Sequence, residues 1–151
     1  MKHYLLAMLL LTACGESATR SSKAVVTEYK QAGRPEAFAQ FVRNAGSAKR
    51  VPVIYFYADW CGPCRRFRAA LPSEQVDEAL KQATIIKVNI DSCRDLADYY
   101  NVTAVPTFVK VDKEGKPIAT ITSAEWDEDV PAEIAPVMQK LVSSTAYDLK
   151  K

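Results

Sequence analysis

Apolar positions recur along this chain with two periods, and the changes of period mark its elements. Residues 4–11 form an uncharged apolar run behind Lys2, and Gly15–Ser22 is small and polar. From Ala24 to Lys30, β-branched and aromatic residues predict a first strand. Gly33-Arg34-Pro35-Glu36 reads as a helix start, because Pro suits the first helical turn. Phe38, Phe41, Val42 and Ala45 follow at helical spacing, and Gly46 closes the helix. Val51–Tyr57 is almost continuously apolar, as a strand covered on both faces is, with Pro52 tolerable only near its start. A helix is predicted from Cys61 to about Leu71, stopping at Pro72. Ser73 then caps a second piece that carries Val76, Ala79 and Leu80 on one face. Thr84–Ile90 predicts a strand, Ser92–Tyr100 a helix, and Thr107–Asp112 with Pro117–Thr122 a hairpin around Lys113-Glu114-Gly115-Lys116. Pro136, six residues into the last segment, is expected to break it, leaving a regular helix from about Pro136 to Ser143. Strands alternating with helices, then a hairpin and a helix, predict an α/β fold: a central mixed sheet flanked by helices on both faces.

The first segment changes the picture of where the protein works. A basic start, a short apolar run and small residues have the layout of an export signal, and the run is too short to span a bilayer. Leu11-Thr12-Ala13-Cys14 resembles the lipobox of bacterial lipoproteins. That resemblance implies cleavage before Cys14 and lipid on its sulfur and new amino terminus. An ordinary signal peptide is the alternative, but a Leu three residues before the cut suits the general signal peptidase poorly. The expected organisation is a signal at 1–13, a lipidated Cys14 with a flexible tether at 14–23, and a folded domain at 24–151. The expected location is the periplasmic side of a bacterial membrane. Gly15 after Cys14 resembles sorting to the outer membrane.

Composition removes several classes of chemistry. Twenty Lys and Arg against 18 Asp and Glu give a net charge of +2, so no nucleic-acid footprint is present. The one His, at position 3, lies in the leader, which excludes His-based triads, haem ligation and mixed Cys/His zinc sites from the rest. Four cysteines remain: Cys14, Cys61, Cys64 and Cys93.

Cys61-Gly62-Pro63-Cys64 sits where a buried strand hands over to a helix. Unpaired backbone N–H groups and the macrodipole at a helix start favour an anion, and the thiolate is the nucleophile. Cys64, one turn on, faces the same side and can attack a mixed disulfide at Cys61. The pair is also half of a zinc site, but a partner pair is missing. Haem attachment needs a His after Cys64, where Arg65 stands. A purely structural disulfide would close too small a loop to remove much unfolded-state entropy.

Trp60-Cys61-Gly62-Pro63-Cys64 resembles the active site of the thioredoxin superfamily at every position, and Ala104-Val105-Pro106-Thr107 is similar to its cis-proline loop. The resemblance covers about residues 24–143 and implies a thioredoxin fold. Its further implications are a redox pair at Cys61 and Cys64, and a substrate groove formed by Trp60, Gly62, Pro63, Val105, Pro106 and Thr107. It implies no cofactor and no metal. Tyr57–Cys61, Cys64–Phe67 and Pro72–Val76 resemble the periplasmic C-terminal domain of DsbD, although Gly62-Pro63 is the dipeptide of cytosolic thioredoxins. The chain departs from the family at several places. Tyr55 stands where thioredoxins place a buried Asp, so Lys87, which matches the family's buried Lys, is expected to lack its partner. Asp59 or water is the expected proton acceptor for Cys64. Ala69 replaces a mid-helix proline, and Ser123 replaces a groove glycine. Cys93, at a predicted helix start, is expected to be partly exposed and to serve as a packing residue.

The function expected is thiol–disulfide exchange, in the reducing direction that Gly62-Pro63 favours. The partners expected are disulfide-containing client proteins, a membrane electron donor of the DsbD type, and the membrane itself through the lipid; a monomer is expected. An oxidase or isomerase, a copper or zinc carrier using Cys61 and Cys64 with or without Cys93, and a structural lipoprotein remain alternatives.

Overall fold

Five strands pair in the order β1-β3-β2-β4-β5 in the computed structural model, which describes residues 23–31, 35–46 and 49–145. The signal, the tether and Cys14 lie outside the described residues. The strands are β1 Val25–Tyr29, β2 Val51–Tyr57, β3 Ala83–Asn89, β4 Thr107–Val111 and β5 Pro117–Thr122. The helices are α1 Pro35–Ala45, α2 Gly62–Ala70, α3 Glu74–Leu80, α4 Arg94–Tyr99 and α5 Pro131–Ser143. β1, β3 and β2 run parallel, β4 pairs antiparallel with β2 and β5 antiparallel with β4, so the mixed sheet expected from the sequence is the one found.

The near-continuous apolar run of β2 has a direct explanation in the layers. Successive side chains point to opposite faces of a sheet. Val53, Tyr55 and Tyr57 enter one core with Phe67 of α2, Leu80 of α3 and Ile134, Met138 and Leu141 of α5. Ile54 and Phe56 enter the other with Phe38 and Val42 of α1 and Leu96 of α4. With both faces covered, no position of the strand is left for a solvent-facing residue.

Two expectations fail. The last helix starts at Pro131 rather than Pro136 and runs through Pro136 to Ser143. Pro131 occupies the first turn, where no amide donor is required, and Pro136 lies on the exposed side. The buried stripe of Ile134, Met138, Leu141 and Val142 offsets the missing hydrogen bond, worth up to about 3 kcal/mol. Lys110 in β4 fastens the end of this helix. Its buried ammonium donates to the carbonyls of Val142, at 2.8 Å, and Ser144, where the helix dipole favours a cation, while burial pushes its pKa down. Cys93, expected to be partly exposed, is buried as the N-cap of α4, with Sγ 3.6 Å from the Gln31 carbonyl oxygen at the end of β1. The turn that starts α4 points this residue inward, beneath the adjoining strand. Among the described residues, no helix is long and apolar enough to cross a membrane.

Candidate active site

β2 ends at Tyr57, and the chain crosses Ala58-Asp59-Trp60 before α2 begins. Cys61 is the N-cap of that helix, in extended backbone, with Pro63 in the first turn. Cys61 and Cys64 are joined by a disulfide, their Cα atoms 5.3 Å apart. The backbone N–H of Cys64 donates to Cys61 Sγ at 3.1 Å. The sulfur thus takes the place of the side-chain oxygen that usually satisfies a free amide at a helix start. In the reduced pair the same N–H and the helix dipole favour a thiolate at Cys61.

Across from the disulfide, the Val105–Pro106 peptide bond is cis, and the Val105 carbonyl oxygen lies 3.5 Å from Cys61 Sγ. Thr107, buried at the start of β4, donates its hydroxyl to the Ala104 carbonyl at 2.7 Å and closes the loop on itself. Trp60 projects into solvent at 67% exposure, held by its indole N–H on Asp91 at 3.1 Å. At Gly62 an added Cβ would stand 3.3 Å from Arg66 Nη1, and Arg66 is paired with Asp129 at 2.7 Å. The structure therefore brings Trp60, Cys61, Gly62, Pro63 and Cys64 together at one end of the sheet, with the 105–107 loop beside Cys61. In the oxidised pair Cys61 is only 4% exposed, because its Sγ folds back onto the Cys64 amide and against Val105.

Beneath the disulfide lies a group of polar residues that the sequence pattern did not assemble. Tyr55, fully buried, donates its hydroxyl to the Cys64 carbonyl at 3.0 Å, and desolvation pushes its pKa above the ordinary tyrosine value. Lys87 does have a partner: its Nζ stands 3.5 Å from Glu28 Oε1 and 4.9 Å from the centre of the Tyr57 ring. The sheet register explains this pairing, since β1 sets Glu28 directly beside Lys87. Tyr57 donates its hydroxyl to Glu28 at 2.6 Å. Burial and that carboxylate push the Tyr57 pKa up to about 12, and the same hydrogen bond holds Glu28 below the ordinary range. Arg68, on α2, lays its guanidinium over the Tyr57 ring, Cζ 5.1 Å from the ring centre. Asp59 turns its carboxylate outward to the Asn89 amide at 3.2 Å. Glu28, Tyr57 and Arg68 escaped the sequence reading. For Arg68 the four-residue spacing from Cys64 was an available signal, whereas Glu28 required the strand order.

The thioredoxin family model matches residues 30–140. Thioredoxin H2 of Arabidopsis thaliana is 32% identical over 117 residues, covering 78% of this chain and 81% of the relative. A peptide-N(4)-(N-acetyl-beta-glucosaminyl)asparagine amidase of Caenorhabditis elegans is 44% identical over 68 residues, and the chain spans only 11% of that protein. Among solved structures, one for the thiol-resolving mechanism of yeast mitochondrial 1-Cys peroxiredoxin through glutathione and thioredoxin systems aligns with a TM-score of 0.54. It is 26% identical, with 78% of this chain and 92% of that one covered. A thioredoxin from Halobacterium salinarum also aligns at 0.54, at 23% identity over 83% of this chain and 93% of its own, a likeness of fold.

Proposed function

The chain belongs to the thioredoxin family, and from that premise we propose that it reduces disulfides of envelope proteins through Cys61 and Cys64. The observation that carries this reading is the Cys61–Cys64 disulfide at the start of α2, with Cys61 Sγ already on the Cys64 amide. In the reduced protein the Cys61 thiolate attacks a client disulfide and forms a mixed disulfide. Cys64 then attacks Cys61 Sγ, releases the reduced client and restores the internal bond. Trp60, Val105, Pro106 and Thr107 border the sulfur and form the groove for an extended client segment. Gly62 and Pro63 set the turn between the two sulfurs.

The lipobox at Leu11–Cys14 supports a lipid-anchored site of action on the periplasmic side of a bacterial membrane. Sustained reduction there requires a membrane donor, and the similarity of 57–61, 64–67 and 72–76 to the DsbD C-terminal domain supports a donor of that type. Cys64→Ser tests the whole reading. Clients and donor accumulate as covalent adducts on Cys61, and equilibration of the wild-type pair with glutathione gives the direction of electron flow. Absence of any adduct, together with failure to reduce insulin in the presence of dithiothreitol, refutes it.

A further inference from the structure

Of the three arginines of α2, Arg65 and Arg66 are exposed and Arg68 alone is half-buried. It lies four residues after Cys64, on the same helical face, and helical side chains lean toward the preceding turn. Its Nη1 is buried and has no hydrogen-bond partner, although its Cζ rests on the Tyr57 ring. Its positive charge also reaches the Tyr55 phenol, whose hydroxyl is bound to the Cys64 carbonyl. A guanidinium held between the Tyr57 ring and the phenol that binds the Cys64 carbonyl is a fixed electrostatic source beside that residue. The other charges around it are Glu28 on β1, Lys87 on β3, which faces Glu28, and Asp59 beyond β2. Lys30 pairs with the outer oxygen of Glu28.

We propose that Arg68 is a positioning residue for the resolving step, holding a positive field on Cys64, while Asp59 turns its carboxylate outward to Asn89. The inference rests on the dithiol reading above. In this step Cys64 loses its proton to solvent and its thiolate attacks Cys61 Sγ. The Cys61–client S–S bond breaks as the Cys61–Cys64 bond forms, and the client sulfur departs as a thiolate with the electron pair. The client is reduced by two electrons and the pair is oxidised by two. Arg68 takes no proton; it stabilises the anion that attacks.

The test uses the reduced full chain with Cys14→Ser, mixed with excess Ellman reagent. Attack by Cys61 releases one thionitrobenzoate in a concentration-dependent phase, and resolution by Cys64 releases a second in a concentration-independent one. Arg68→Met is expected to move the midpoint of the second phase against pH upward by about one unit and slow it about tenfold at neutral pH. Arg68→Lys restores most of the rate. Glu28→Gln, which leaves α2 untouched and keeps the Tyr57 acceptor, moves the midpoint the opposite way and keeps the inference testable if Arg68→Met fails to fold. Unshifted midpoints in these variants overturn the role of Arg68 while the wild-type second phase upholds the dithiol. A wild type with no second phase overturns both.

Discussion

Replacing Tyr55 with Phe separates two accounts of the proton that Cys64 must lose. The phenol is fully buried, and its ring stacks on Phe108 at 5.1 Å and meets Phe67 edge-on at 4.9 Å. Phe keeps both ring contacts. What it loses is one hydrogen bond, 3.0 Å from Tyr55 Oη to the Cys64 carbonyl oxygen. A neutral hydrogen bond of this kind contributes about 0.5–1.5 kcal/mol net. The variant should therefore unfold about 1 kcal/mol more easily, lowering Tm by roughly 3–5 °C for a domain of this size. The Tyr55 pKa is raised by burial, so the phenol stays protonated through the physiological range, and its one proton is already donated to a carbonyl. It is a poor base. Insulin reduction by Tyr55→Phe at neutral pH should remain within about twofold of wild type. Thermal unfolding of the oxidised form, beside a turnover assay, reads both quantities. A tenfold loss of turnover with the small expected loss of stability would refute this account and place the phenol in the proton path.

Four further outcomes follow from the packing. Phe67→Ala removes a ring that touches Tyr55, Phe108 and Trp126, and should cost about 3–5 kcal/mol in urea unfolding; a cost under 1 would contradict the core described. Pro136→Ala, on the exposed side of α5, should stabilise by about 1–2 kcal/mol by restoring the helical hydrogen bond, and an unchanged urea midpoint would show that the helix has already adjusted. Glu28 has a lowered folded pKa, chiefly through the Tyr57 hydroxyl, so its stabilisation is full above its ordinary value of 4.5 and is lost as pH falls through the depressed one. Wild type should thus exceed Glu28→Gln in stability at pH 7, with the gap closing in acid; a gap that persists there contradicts the assignment. Burial raises the pKa of Cys93, so in the oxidised Cys14→Ser chain its alkylation should be slow until denaturant is added, and rapid native labelling would disprove its enclosure.

Local signals carried the elements, and non-local ones did not. Val51–Tyr57 declared a central strand because both of its faces need cover, and Ser73 declared a cap whose hydroxyl does accept from the Val76 amide. Cys61 and Cys64 were legible for the same reason: strand end, helix start and three-residue spacing all lie within one window. The path of α5 through Pro136 was not, because its stability comes from Ile134, Met138 and Leu141 packing on residues far away in sequence. Lys87 looked deserted because its partner is set by parallel pairing with β1, nearly sixty residues earlier, and Glu28 meets it only once β3 lies between β1 and β2. Cys93 was misplaced for a related reason. Its enclosure depends on the end of β1 rather than on its own neighbours.

The three parallel strands all begin at one pole of the molecule, and Cys61 follows the far end of β2, the middle strand of the five. Arg50 grips that starting pole, donating to the carbonyls of Lys23, Lys81 and Ala83. The seven residues of β2 separate the poles by about 20 Å. Whatever grips the polypeptide ahead of Lys23 therefore holds it by the heel, with the reactive sulfur at the toe. A partner held at Cys61 and the chain entering at Lys23 therefore lie on opposite sides of the sheet's long axis.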